Sequence, residues 1–175
     1  PGVTFTASNY NISMYSKVRN YRFDGKIVYT NKNYGGAYRG YGNPQGTFAR
    51  EVQMDILAEK LGLDPVEFRL RNVTETGDVS ACGYQVTSCG MQECIEQAVE
   101  SLGWTHKKKE GRPGRGVGIA CAVHCGGGVR VYRNTDACSA LVKMEDDGTV
   151  SVLTGATEIG SGQNSVMASI VAEEL

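Results

Sequence analysis

The sequence predicts an α+β chain of mixed sheets or hairpins with packed helices, and three observations carry that reading. Apolar residues recur at helical spacing in separate stretches, one alternating hairpin lies late in the chain, and no regular strand–helix–strand alternation links them. Early on, residues 26–30 (Lys-Ile-Val-Tyr-Thr) follow Asp24-Gly25 and read as a strand leaving a turn. A glycine-rich loop comes next, residues 34–44. A helix is then predicted from about Gln45 to Leu61, with Phe48, Ala49, Val52 and Ile56 on one side and Met54, Leu57, Ala58 and Leu61 on another. Apolar groups on two sides predict a helix packed between layers, and Gly62 stops it.

Asp64-Pro65-Val66-Glu67 combines an N-cap Asp, Pro at the first helical position and a Glu placed for a capping box, so a short helix to about Asn72 is expected. Residues 74–90 read as loop. Met91, Ile95, Ala98 and Leu102 give a third helix, ended by Gly103. Residues 105–115, basic and broken by Gly and Pro, read as a solvated linker. It divides a first subdomain, 1–104, from a second, 116–175. In the second, 116–123 is strand-like and 135–144 alternates, with Cys138, Ala140, Val142 and Met144 on one face. Asp146-Asp147-Gly148 turns the chain back through 149–154, and a helix begins near Ser161.

Composition narrows the function. The 175 residues carry 18 Lys+Arg against 19 Asp+Glu, a net charge of −1, which excludes a strongly basic nucleic-acid binder and an electrostatic membrane adhesive. No apolar run reaches the ~20 residues of a membrane span, and no signal-like segment opens the chain. The sequence starts at Pro1 and stops inside a predicted helix without a capping Gly or Asn, so an excised piece of a longer polypeptide is expected. Glycine is the outlier, 23 residues or roughly twice the usual ~7%, and the excess is clustered, marking specific loops.

In the first loop, Arg39 lies between Gly35-Gly36 and Gly40-x-Gly42, flanked by Tyr38 and Tyr41. Glycines admit close backbone approach, Arg offers a planar fork for oxyanions or oxo groups, and Tyr41 offers a stacking face. The plainer alternative is a surface loop whose Arg pairs with an acid. In the second loop, Gly155, Gly160 and Gly162 join a strand to a helix start. Free N–H groups there form a seat for an anion or cofactor, or the glycines merely permit a tight turn. The spacing matches neither a Walker loop nor the dinucleotide fingerprint.

The six cysteines (Cys82, Cys89, Cys94, Cys121, Cys125 and Cys138) include no C-x2-C pair. They read as buried reduced thiols of a cytoplasmic protein, with a zinc site on Cys121, His124 and Cys125 as the alternative.

Three runs carry a resemblance. Residues 36–45 (Gly-Ala-Tyr-Arg-Gly-Tyr-Gly-Asn-Pro-Gln) are followed by a helix and then residues 63–72 (Leu-Asp-Pro-Val-Glu-Phe-Arg-Leu-Arg-Asn). With residues 154–163 (Thr-Gly-Ala-Thr-Glu-Ile-Gly-Ser-Gly-Gln), these resemble the molybdopterin-binding large subunit of the xanthine dehydrogenase/aldehyde oxidase family, in order over nearly the whole chain. The resemblance implies that Arg39, Gly40 and Tyr41 lie beside a molybdenum centre, with Arg39 acting electrostatically and Tyr41 packing against substrate. It implies that Gly160, Ser161, Gly162 and Gln163 contact the pterin or its ligands. Ser161 stands where members often carry Gln, leaving the backbone N–H contacts to carry over. Gly40 stands where the carbon monoxide dehydrogenases have Cys, which argues against that branch.

By the same resemblance the cofactor is molybdopterin, possibly as the cytosine dinucleotide, and partner subunits or domains carry 2Fe-2S clusters and FAD. Substrates would be purines, aldehydes, N-heterocycles or aromatic acyl-CoA thioesters. Residues 120–125 and the downstream hairpin lean toward the 4-hydroxybenzoyl-CoA reductase-like branch. The family's catalytic Glu would fall beyond Leu175 and an earlier set of cofactor contacts before Pro1, so this piece alone would be inactive. The rival from another class is a non-catalytic phosphate- or nucleotide-binding module using only residues 155–163.

Overall fold

The computed structural model describes residues 11–36, 38–81, 83, 85–111, 113–124 and 137–175. The fold is α+β and divides into two compact units, Pro1–His124 and Cys125–Leu175. In the first, a short 3-10 helix, Asn11–Met14, precedes α1 (Asn43–Leu61), α2 (Pro65–Asn72), α3 (Met91–Leu102) and α4 (Trp104–Glu110). In the second, β1 (Ala140–Met144) and β2 (Val150–Thr154) form an antiparallel hairpin before α5 (Gln163–Glu174).

The helix boundaries follow the local chemistry. Gly62 ends α1 at φ 66°, its N–H returning to the Ala58 and Glu59 carbonyls. The Asp64 side chain accepts the Val66 N–H at 2.8 Å and Pro65 opens α2. Glu67, expected in a capping box, pairs instead with Arg71 one turn on. The predicted linker is helical through Glu110 because Trp104 is buried and reaches the same Asp64 carboxylate as Lys108, at 3.2 and 2.7 Å. These two contacts fold the basic run onto the α2 N-terminus.

The core of the first unit gathers Met14, Tyr15, Met54, Val66, Val73, Ile95, Trp104 and Cys121. Each large apolar side chain in it contributes about 1.5–3 kcal/mol through burial. Only one side of α1 enters this core, through Met54 and Ala58; Phe48 on the other side is 73% exposed, so the expected two-sided packing is absent. Residues 26–30 are exposed and join no ladder among the described residues, against the strand expected there. Residues 116–123, read from the sequence as strand-like and as part of the second subdomain, join no ladder among the described residues and belong to the first unit.

In the second unit the hairpin register pairs Ala140 with Thr154 and Met144 with Val150. Asp147 closes its turn by accepting the Thr149 N–H and hydroxyl at 2.9 and 2.7 Å, with Gly148 at φ 83°. The alternating pattern of β1 does not bury a face, since all five of its residues are exposed. Thr135 and Asp136, assigned to that strand from the sequence, lie outside the described residues. Among the described residues no helix is long and apolar enough to cross a membrane.

Candidate functional site

Residues 39–42 form a turn in which four successive residues have positive φ: Arg39 at 24°, Gly40 at 93°, Tyr41 at 58° and Gly42 at 93°. Left-handed backbone suits glycine, while for Arg and Tyr it is a sparsely occupied conformation that surrounding contacts must hold. Gly40 is required twice, because a Cβ there would also meet Pro44 Cδ and Cγ at 2.9 Å. Arg39 is exposed, its guanidinium 5.4 Å from the Tyr38 ring centre, and among the described residues no carboxylate pairs with it. Tyr41 is half exposed. Arg39, Gly40 and Tyr41 are therefore brought together on one turn, with the side chains of Arg39 and Tyr41 available. A cleft of about 820 Å³ opens among Phe23, Ile27, Tyr29, Tyr34, Gly36 and Gln45.

The turn is tied down by Asn43, the first residue of α1 and only 7% exposed. Its backbone N–H and its side-chain amide both donate to the Gly40 carbonyl, at 2.9 and 3.0 Å, and the amide also meets His124 Nδ1. Two turns further along α1, Glu51 is a buried hub. Its carboxylate accepts from the Tyr15 hydroxyl (2.9 Å), Arg50 Nε (2.8 Å), Arg69 Nε (2.8 Å) and the Cys121 N–H (2.9 Å). Burial disfavours the Glu51 charge, but these four donors outweigh it and hold the carboxyl below its ordinary value. Arg69, fully buried, gives Nη1 to Asp55 at 2.8 Å and to the Pro65 carbonyl at 3.1 Å. Burial and the neighbouring Glu51 charge push the Tyr15 phenol and the Cys121 thiol up.

The second loop lies in the other unit. Gly160 and Gly162 have φ of 100° and 81°, and Gly162 precedes α5. The anion seat predicted there is filled by the chain itself. The Glu158 carboxylate accepts N–H groups from Gly160 (2.6 Å), Gly162 (3.1 Å) and Asn164 (3.4 Å), and these hold its carboxyl below its ordinary value. One group is left over: Gln163 Oε1 is inaccessible and accepts no hydrogen bond among the described residues.

Cysteine burial is mixed. Cys121 is buried and Cys89 half-buried, but Cys94 and Cys138 are exposed, correcting the expectation of uniformly buried thiols. Cys94 falls on the solvent side of the amphipathic α3, and Cys138 lies just outside an exposed hairpin. Cys82 and Cys125 lie outside the described residues. Among the described residues no three metal-ligating side chains cluster, and His124 turns toward Asn43.

Two family models match, both described as a molybdopterin cofactor-binding domain, over residues 1–73 and 96–175. The chain belongs to the molybdopterin-binding family of the xanthine dehydrogenases and aldehyde oxidoreductases. It is 40% identical over 159 residues to a xanthine dehydrogenase molybdenum-binding subunit of Escherichia coli, covering 87% of this chain and 21% of that subunit. It is 36% identical over 165 residues to an aldehyde oxidoreductase of Megalodesulfovibrio gigas, covering 92% of this chain and 17% of the relative. The solved aldehyde oxidoreductase of Desulfovibrio desulfuricans superposes with a TM-score of 0.67 at 33% identity, over 86% of this chain and 16% of the other. The chain spans about a fifth of the length of the curated relatives it matches.

Within this molybdopterin-binding chain, sequence reasoning singled out the two loops and missed what supports the first. Glu51 was not singled out, and Arg69 entered only as part of the run 63–72. The signal that was available is position. Glu51 falls at three-residue spacing before Met54 on the buried side of α1, and Arg69 three residues after Val66 on the buried side of α2.

Proposed function

We propose that this chain is part of the catalytic subunit of a molybdenum-dependent oxidoreductase of the xanthine dehydrogenase/aldehyde oxidoreductase type, supplying cofactor and active-site contacts. The observation that carries the reading is the Arg39 turn, a strained left-handed loop that presents an uncompensated guanidinium beside an accessible aromatic ring. In the family's chemistry the bound molybdopterin supplies an oxo-metal centre that takes electrons from the substrate. Beside such a centre, Arg39 would stabilise negative charge developing on oxygen, and Tyr41 would pack against a flat substrate.

The second loop fits the pterin better than a phosphate. Its N–H groups already turn onto Glu158, and its unpaired group is an acceptor, Gln163 Oε1. With its side chain turned outward, Gln163 Oε1 would accept from the N–H donors of a pterin ring. Gly160, Ser161 and Gly162 would then shape the turn that presents Gln163. The same observation weighs against a phosphate- or nucleotide-binding module.

The finer reading favours a purine or aldehyde substrate, as the relatives named above suggest by their names. The lean toward an aromatic acyl-CoA reductase rests on residues 120–125 and the downstream hairpin, and in the first of these Cys121 and His124 are engaged internally with Glu51 and Asn43. The cytosine dinucleotide form of the cofactor, and iron–sulfur and flavin partners that take the electrons onward, complete the proposal. The test is Arg39→Ala in the full-length enzyme. Turnover is expected to fall at least ~10-fold, about 1.4 kcal/mol, with molybdenum content retained; unchanged turnover would remove Arg39 from the site.

A further inference from the structure

We infer that Asn43, held by His124, is the positioning residue that keeps residues 39–42 left-handed and so aims Arg39 and Tyr41. The consequence for catalysis rests on the function proposed above, while the placement of the turn does not. Four consecutive positive φ values, two of them at residues with a Cβ, need contacts that over-determine the backbone. The described hydrogen bonds that close the turn at Gly40 come from one residue: the Gly40 carbonyl takes both the backbone and the side-chain N–H of Asn43.

Chemistry fixes the orientation of the amide. Its nitrogen has two protons and no lone pair to offer, so with one proton on Gly40 the other points at His124 Nδ1, which must be the unprotonated, accepting nitrogen of the ring. His124 is anchored in turn. Three residues earlier, Cys121 donates its N–H to Glu51 at 2.9 Å and its carbonyl accepts from Arg50 Nη2 at 2.6 Å. The buried Glu51 hub thus fixes the backbone at Cys121, three residues before His124, and hydrogen bonds from His124 to Asn43 and from Asn43 to Gly40 carry that support on to the strained turn. Asn43 is part of α1, but His124 is not, so substituting His124 tests the turn without altering the helix that follows it.

The experiment follows amide hydrogen exchange of residues 39–46 in the full-length, cofactor-loaded enzyme carrying His124→Ala, His124→Asn or Asn43→Ala. Both alanine variants should speed exchange of the residue-43 amide roughly fivefold or more, the scale of one lost hydrogen bond. His124→Asn places an oxygen acceptor where Nδ1 stood and should restore most of the protection. The double variant His124→Ala/Asn43→Ala should exchange no faster than Asn43→Ala alone, as expected of two groups in one chain of contacts. Unchanged exchange in both alanine variants would overturn the inference. So would equal exchange in His124→Asn and His124→Ala, or a matching rise throughout α3, which marks general loosening. Faster local exchange with Arg39→Ala turnover unchanged would uphold the positioning while removing the turn from the active site.

Discussion

The two glycine-rich loops reach left-handed backbone by opposite means. Residues 39–42 include two residues that resist positive φ, and they are held from below by a buried Asn and a carboxylate hub. Residues 160–162 place positive φ on glycines alone and are held by the exposed carboxylate of Glu158. The first loop draws its shape from the interior of its unit; the second makes its own brace within a few residues. Sequence changes far along the chain should therefore reach the first loop and leave the second untouched.

The hub gives the largest test of that contrast. Glu51→Ala leaves the fully buried Arg69 with one of its two carboxylate partners gone and strands the Tyr15 hydroxyl and the Cys121 N–H. Removing one partner of a buried ion pair costs about 3–5 kcal/mol. Hydrogen exchange across α1 and α2 in the full-length protein should rise accordingly, while the hairpin of the second unit keeps its protection. Equal loss in both units would show that the hub is not local to the first. A smaller effect is expected at the turn itself. Gly40→Ala combines unfavourable φ with a 2.9 Å approach to Pro44 and should destabilise the unit by about 1–3 kcal/mol. Gly162→Ala is strained by φ alone, with open space around the added carbon, and should lower the melting temperature less. The reverse order would break the comparison.

The same contrast explains what the sequence made legible. Helices α1, α2 and α3 and the hairpin turn were readable because local rules decide them: Gly62 and Gly103 as stops, Asp64-Pro65 as a start, Asp147-Gly148 as a turn. Both loops were readable as glycine clusters, and the family resemblance pointed to Arg39, Tyr41 and Gln163. The support was not readable, because Glu51, Arg69, Asn43 and His124 meet across 18 to 81 positions and each looks like a surface residue in its own segment. Helix α4 was missed for a similar reason: its basic run is held by Trp104 and Lys108 on Asp64, 40 or more residues away. The Glu158 brace spans only a few residues, yet glycine spacing alone does not distinguish a turn that seats a ligand from one whose N–H groups already meet a neighbouring carboxylate.

Acid should weaken the first unit through its hydrogen-bonded carboxylates. Asp78 is drawn down to about 2 by the Ser16 hydroxyl, then by the Glu75 N–H and by Lys17, and Glu51 is lowered by its four donors despite burial. Folded values below the unfolded ones mean the unfolded chain binds more protons as pH falls. Their stabilisation is complete above the ordinary carboxylate range and is lost as pH drops through the folded values, down to about 2 for Asp78. Glu51→Gln should flatten the dependence of first-unit stability on pH below 4.5, the ordinary glutamate value, and salt should change that part little because the hub is buried. A slope unaffected by Glu51→Gln would assign the acid response to the exposed pairs.

The smallest expected effect belongs to Glu158, and it sharpens the comparison most. Its carboxylate is exposed and holds amides on either side of Gly162, so water competes for each of those contacts. Glu158→Ala should leave the melting temperature of the full-length protein within error and speed exchange of the Gly160 and Gly162 amides only a few-fold. Glu158→Asp, one methylene shorter, should do the same, because the 2.6 Å contact to Gly160 depends on reach. High salt should reproduce part of the effect in the unaltered protein, since the brace is an exposed charge on backbone dipoles. A large drop in melting temperature on Glu158→Ala would mean that the second loop, like the first, is held by contacts reaching into its unit, and the distinction between the two loops would fall.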